Sequence, residues 1–134
     1  MRMLIIGGGQ VGSYLASLLL DHKHHVTVVE RRDEAQDLLR RSAPAAHVIL
    51  GDGTDPQILE AAGVRVADVV AAVTGADETN LVITSLARFA FNVPRAVARV
   101  NNPHNTWMFT PAMGVDVALN QADVIAHLIA QAVG

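Results

Sequence analysis

Met3-Leu4-Ile5-Ile6-Gly7-Gly8-Gly9-Gln10-Val11-Gly12 decides the reading of this chain. An apolar run without a turn former meets three consecutive glycines, and Ser13 to Leu20 continues with helical character. The glycines fall as Gly-x-Gly-x-x-Gly between a strand and a helix, the spacing that a dinucleotide pyrophosphate requires. In that pattern Gly7 makes the tight turn, and Gly9 admits the phosphates close to the backbone with no Cβ in the way. Gly12 lets the helix pack tightly on the strand, with Gln10 and Val11 forming the start of that helix. The phosphates then face a helix N-terminus, where unpaired N–H groups and the positive dipole end favour a negative charge by roughly 0.3–1 kcal/mol.

Glycine clusters also make ordinary turns, so a second feature is needed. Val26-Thr27-Val28-Val29 is another apolar run, and it ends in Glu30, eighteen residues beyond Gly12. A carboxylate at the tip of the second strand accepts hydrogen bonds from the adenosine ribose hydroxyls. Two roles stand open for Arg31: recognition of a ribose 2′-phosphate, or stacking over the adenine face. Glu30 would repel a 2′-phosphate, which favours NAD over NADP. Arg32 reads as a solvated arginine at a helix start.

The 134 residues suit one domain with one core. Hydrophobic residues make up 51% and aromatic residues only 4%, so Val, Ala, Leu and Ile build the interior. That bias suits a buried parallel sheet covered by helices. No apolar run reaches the roughly 18 residues of a membrane span, and the start does not read as a secretory signal. With no cysteine, disulfides and thiolate metal sites are excluded and a cytoplasmic location is expected. A net charge of −3 offers no electrostatic footprint for nucleic acid. His22, His24 and His25 crowd one turn. They read as a helix finish meeting unpaired carbonyls, not as a metal site.

Further strands are expected at His47–Leu50, Ala67–Val73, Arg95–Val100 and Val115–Leu119, after the first at Arg2–Ile6 and the second ending at Glu30. Helices alternate with them: Gln10–Asp21, Glu34–Arg41 capped by Asp33, and Gln57–Ala62 capped by Asp55. Others follow at Glu78–Ala90, between Asn102-Pro103 and Gly114, and at Ala122–Val133. Such alternation predicts right-handed βαβ crossovers. The fold class is therefore α/β, a Rossmann-like doubly wound parallel six-stranded sheet in the order 3-2-1-4-5-6. In such a sheet the ligand lies beyond the carboxyl ends of the strands. That brings together the Gly7–Gly12 loop, Glu30 and Arg31, Asp52 to Thr54, Thr74 and Gly75, and Arg99. Asp52 is expected at the adenine side, with Thr74 and Gly75 at the distal half. Arg99 is expected near the phosphates or distal ribose, with a salt bridge on the sheet rim as the alternative.

Four pieces in order, Gly7 to Gly12, Gly51-Asp52-Gly53-Thr54-Asp55-Pro56, Ala72 to Asn80, and Ala98 to Pro103, resemble the nucleotide-binding lobe of the regulator-of-potassium-conductance family. More narrowly, the chain resembles the N-terminal lobe of the peripheral subunit of Trk-type potassium uptake systems. The resemblance implies a cytosolic, ring-forming subunit that binds NAD(H) or another adenine nucleotide and gates a membrane-embedded potassium transporter. By it, the glycine loop holds the pyrophosphate and Glu30 the ribose. Arg31, Asp52, Gly53 and Thr54 line the adenine side, and Thr74, Gly75 and Arg99 approach the far end. Many relatives carry arginine where this chain has Gln10. Gln10 together with the Asp-Glu-Thr-Asn stretch is closer to the NAD-responsive Trk branch than to the ATP/ADP-responsive Ktr branch. Full family members continue into a smaller C-terminal lobe, which residues 1–134 do not include.

The same loop also serves dehydrogenases. Those need a proton acceptor beside the nicotinamide, and Tyr14, Lys23 and His104 form no such constellation, so binding without turnover is expected. The last helix carries Val124, Ile125, Leu128 and Ile129, which are expected to bury into the sheet or into a neighbouring copy. On family grounds the chain is expected to be at least a dimer.

Overall fold

The computed structural model describes residues 1–134. Its strands are β1 (Arg2–Ile6), β2 (His25–Glu30), β3 (His47–Leu50), β4 (Val69–Ala72), β5 (Arg95–Val100) and β6 (Val117–Asn120). All pair in parallel, in the order β3-β2-β1-β4-β5-β6. Helices α1 (Gln10–Asp21), α2 (Asp33–Ser42), α3 (Pro56–Ala61), α4 (Asp77–Ser85) and α5 (Gln121–Ala132) alternate with them. The expected topology is the observed one. Strand order reverses between β1 and β4, which pair from Met3↔Val69 to Ile6↔Ala72. The crevice therefore opens beyond Ile6 and Ala72.

Successive side chains of β1 point to opposite faces, and both faces are buried. Leu4 and Ile6 pack with Val70, Ala72, Leu59, Ile83 and Phe91 on one side. Ile5 joins Val28, Ala71, Ala16 and Leu39 on the other. Burying each such Leu or Ile contributes about 1.5–3 kcal/mol, which holds the tip of β1 as a rigid base for the glycine loop. A third cluster, Leu81, Ala98, Val100, Phe109 and Val115, supports β5.

Several local expectations need correction. Asp33 does not cap α2. The N-cap is Arg32, whose amide is already held by Glu30, so the helix begins one residue earlier and Asp33 lies in its first turn. The helix expected at Glu78–Ala90 starts at Asp77 and ends in a π-helical turn, Leu86–Ala90. Between β5 and β6 there is no single helix. Two 3₁₀ segments, Pro103–Met108 and Pro111–Met113, replace it, because Pro111 lacks an N–H and its ring blocks helix continuation. Finally, of the two covers expected for the α5 stripe, the sheet is not the one used: Val124, Ile125, Leu128 and Ile129 are all exposed and no α5 residue is buried within the chain. The Asn120 side chain accepts from the Asp123 amide and starts the helix directly at the end of edge strand β6.

Candidate functional site

The glycine loop is built by close backbone approach. Gly7 has φ +111°, a left-handed conformation that glycine adopts without strain. A Cβ on Gly12 would fall 1.7 Å from the Gly7 carbonyl oxygen, so α1 sits directly on the turn. Ser13 Oγ donates to the Gly8 carbonyl at 2.8 Å and closes the loop. Gly9 caps α1 without a side-chain hydrogen bond, and no acid lies in the first turn. The amides of that turn thus lack a side-chain acceptor, which suits an anion.

Glu30, at the end of β2, is only 4% exposed. Its Oε2 accepts the Gly8 amide at 2.5 Å, while Oε1 accepts the Arg32 amide at 3.0 Å and Arg32 Nε at 2.9 Å. Burial pushes this carboxyl up, but the hydrogen bonds from Arg32 and Gly8 and the Arg32 charge outweigh it and hold it below its ordinary value. Glu30 therefore clamps the glycine loop to the second strand. Arg32 is not a merely solvated arginine, since it is ion-paired to Glu30 and lines the crevice. Its partner lies two residues back in extended chain, a pairing that helical or strand periodicity does not reveal.

Beside this pair, Asp52 Oδ1 accepts the Thr54 amide at 2.9 Å and Thr54 Oγ1 at 2.7 Å. Those bonds, with a smaller contribution from the Arg31 charge, hold the Asp52 carboxyl below its usual range. Gly53 lets this loop lie against β1, because a Cβ there would meet Ile6 Cγ2 at 2.3 Å.

The far wall is a hydrogen-bonded knot. Asn80 Oδ1 accepts the Thr74 amide at 3.0 Å and Thr74 Oγ1 at 2.7 Å, and Asn80 Nδ2 donates to the carbonyls of Thr74 and Arg99 at 3.1 and 2.9 Å. Asp77, 4% exposed, accepts the amides of Asn101 and Asn102 at 2.6 and 2.9 Å and the side chains of Asn101 and Asn105 at 3.2 and 2.9 Å. Burial raises its pKa, but these bonds bring the net value below the ordinary one. Sequence reasoning assigned no role to Asp77, Asn80 or Asn101. Their signal was polar side chains placed next to strand ends within apolar surroundings. Arg99, at the end of β5, makes no rim salt bridge; its Nε is buried without a hydrogen-bond partner. Leaving such a donor unmatched costs about 1–3 kcal/mol, and an acceptor on a ligand would recover it.

One cleft of about 510 Å³ brings these groups together, a size within the usual range for cofactor sites. Gly7, Gly9, Gln10 and Val11 line it at the phosphate loop, Glu30 and Arg31 at the tip of β2, Asp52 and Gly53 after β3, and Thr74, Gly75 and Arg99 beyond β4 and β5. Two expected residues do not line it. Gly12 lies beneath the turn, and Thr54 acts on Asp52. Arg32, Gly51, Ala76 and Thr79 line it in addition. Tyr14, Lys23 and His104 do not.

The TrkA-N domain family matches residues 3–121. A Trk system potassium uptake protein TrkA of Mycobacterium tuberculosis is 41% identical over 133 residues, covering 99% of this chain and 60% of that protein. The chain thus spans about three fifths of the length of that relative. The TrkA-N domain of the inner membrane protein ybaL from Escherichia coli superposes with a TM-score of 0.87 at 20% identity, over 99% of this chain and 96% of that one. The GsuK RCK domain gives a TM-score of 0.81 at 27% identity, over 96% of this chain and 27% of that one. Structures of GsuK include one bound to NAD and one bound to ADP.

Proposed function

The chain belongs to the TrkA-N domain family, and from that premise we propose that it is a non-catalytic regulatory domain that binds NAD(H) and controls a membrane-embedded potassium transporter. The observation that carries the ligand is the cleft itself. It has an uncapped α1 N-terminus at its centre, the buried acid Glu30 on one flank, and the unpartnered Nε of Arg99 on the other. Glu30 and Arg99 sit on β2 and β5, three strands apart across the order β2-β1-β4-β5. That is roughly 14 Å at ordinary strand spacing. Such a separation suits a ligand with a nucleotide at each end better than a single nucleotide.

In this reading the Gly7–Gly12 loop and the first turn of α1 hold the pyrophosphate, and Glu30 faces the adenosine ribose. Arg31, Asp52, Gly53 and Thr54 shape the adenine side, while Thr74, Gly75 and Arg99 hold the distal half. A second reading, an ATP- or ADP-sensing domain of the Ktr type, draws on the ADP-bound GsuK structure. The non-catalytic assignment draws on the absence of Tyr14, Lys23 and His104 from the cleft lining.

No helix is long and apolar enough to cross a membrane. We place the domain in the cytoplasm as a homo-oligomer, peripheral to the membrane through its transporter partner. Regulation requires a nucleotide to bind two conformations with different affinity. The test is rubidium uptake by cells carrying the wild-type sequence or Gly9→Asp, which puts a negative charge in the phosphate loop. Loss of nucleotide-dependent uptake in the variant supports the proposal. Uptake indifferent to the substitution, or steady NADH turnover by the purified chain, overturns it.

A further inference from the structure

By sequence alone, Glu30 opposes a ribose 2′-phosphate. The geometry changes that balance. All three donors to the Glu30 carboxylate are protein N–H groups: Gly8 on Oε2, and the Arg32 amide and Nε on Oε1. Arg32 is thereby gripped by its inner edge. Its Nη1 and Nη2 donate to no protein acceptor, and Nη2 lies 3.2 Å from where a Gly9 Cβ would stand, at the rim of the phosphate loop. The side chain is 53% exposed and lines the cleft.

Valence and charge then discriminate between two forms of the ribose. A guanidinium carries five N–H groups in a rigid fork. With one of them on Glu30, the outer pair remains as a bidentate donor, the shape that phosphate oxygens accept. A ribose hydroxyl meets an Oε1 that already accepts twice, so it must displace Arg32 there or share Oε2, which holds the Gly8 amide on the buried side. A 2′-phosphate leaves Arg32 where it is, so the fork is preorganised for it.

Resting on the nucleotide reading above, we propose that Arg32 is the specificity-determining residue of the adenosine-ribose subsite, and that it extends the ligand class to 2′-phosphorylated adenine dinucleotides. Glu30, the group expected to repel that phosphate, is neutralised by Arg32 in an ion pair of 2.9 Å. Arg31 adds a second cation at the same end of the cleft, set against Asp52. Asp33 and Glu34, in the first turn of α2, act against the phosphate. They directly follow Arg32, inside the roughly 8 Å screening length, so they offset part of the gain; both are exposed, and the fork's direct hydrogen bonds to the phosphate outweigh them.

The test is calorimetric titration of the chain with NADPH and NADH, repeated on Arg32→Ala and Arg32→Lys, with thermal unfolding as the check on folding. The wild-type chain is expected to bind NADPH at least as tightly as NADH. Arg32→Ala is expected to weaken NADPH by about ten- to hundredfold, the scale of losing charge-assisted hydrogen bonds, while NADH holds or tightens. Arg32→Lys falls between, because an ammonium keeps the charge but lacks the planar fork that holds Glu30 with one edge and offers a bidentate pair with the other. Tighter wild-type binding of NADH than of NADPH, or parallel loss of both ligands in Arg32→Ala, overturns the role of Arg32 and leaves the nucleotide site standing. Failure of NADPH, NADH, ATP and ADP alike to bind overturns both.

Discussion

Gly12→Ala places a methyl group where a carbonyl already is. The new Cβ would lie 1.7 Å from the Gly7 oxygen and 2.8 Å from its carbon. An ordinary close C···O approach is about 3.3 Å, so one partner must retreat by roughly 1.6 Å. Both are backbone groups, and neither can rotate away. Gly7 cannot yield freely, because its amide donates to the Val29 carbonyl at 2.9 Å. Gly8 is tied to Glu30 and to Ser13 as well. Relief has to come from lifting α1 off the sheet, which separates Ala16 from Ile5 and Val28. Overpacking of this kind costs about 1–3 kcal/mol, and a backbone clash of this depth belongs at or above the upper end. Gly75→Ala is the control: nothing lies within 4 Å of its Cβ position and its φ is not in the left-handed range. Its stability should stay within about 0.5 kcal/mol of wild type. Urea unfolding of the three proteins reads both numbers. A Gly12→Ala midpoint equal to wild type, or a Gly75→Ala loss as large as that of Gly12→Ala, refutes the packing argument.

Asp77→Asn turns an acceptor of four hydrogen bonds into a group that faces N–H donors with an NH₂. It should cost about 2–3 kcal/mol in urea unfolding, and a loss below about 0.5 kcal/mol would remove Asp77 as the anchor of the far wall. Glu30, Asp52 and Asp77 are all held below their ordinary values of 4.5, 3.8 and 3.8. As pH falls the unfolded chain takes up these protons first, so their contribution is full above about pH 5 and drains away through pH 4 and below. Stability that stays flat between about pH 5 and pH 3 contradicts this. Arg99→Ala removes a buried donor without a protein partner. Nucleotide binding should weaken by about tenfold while urea stability moves by less than about 1 kcal/mol. The reverse pattern, lost stability with unchanged affinity, makes Arg99 structural.

The sheet was legible because its physics is local and periodic. Apolar runs such as Leu4 to Ile6 and Val69 to Ala72 are short, β-branched or small, and separated by helical stretches, and the Gly7–Gly12 spacing fixes where strand order reverses. The crevice followed from topology, which is why most of the expected residues line one cleft. What escaped were partnerships made by tertiary contact. Asp33 has the chemistry of a cap, yet Glu30 had already fixed Arg32 and moved the helix start. The Asp77–Asn101–Asn102–Asn105 knot joins residues more than twenty apart that carry no shared period. The 3₁₀ turns near Pro111 reflect a proline that the capping reading of Asn102 and Pro103 passed over. The apolar stripe of α5 is amphipathic by sequence, but periodicity states only that a face wants cover, not where the cover lies.

If the cleft binds an adenine dinucleotide through Glu30, the affinity for NAD(H) depends on that carboxylate. The decisive experiment is calorimetric titration with NAD⁺, NADH, ATP and ADP, repeated on Glu30→Ala with cooperative unfolding confirmed. NAD(H) should bind more tightly than ATP or ADP, and the substitution should weaken it by about tenfold or more. Tighter ATP or ADP binding, or NADH affinity unchanged in Glu30→Ala, would contradict this reading.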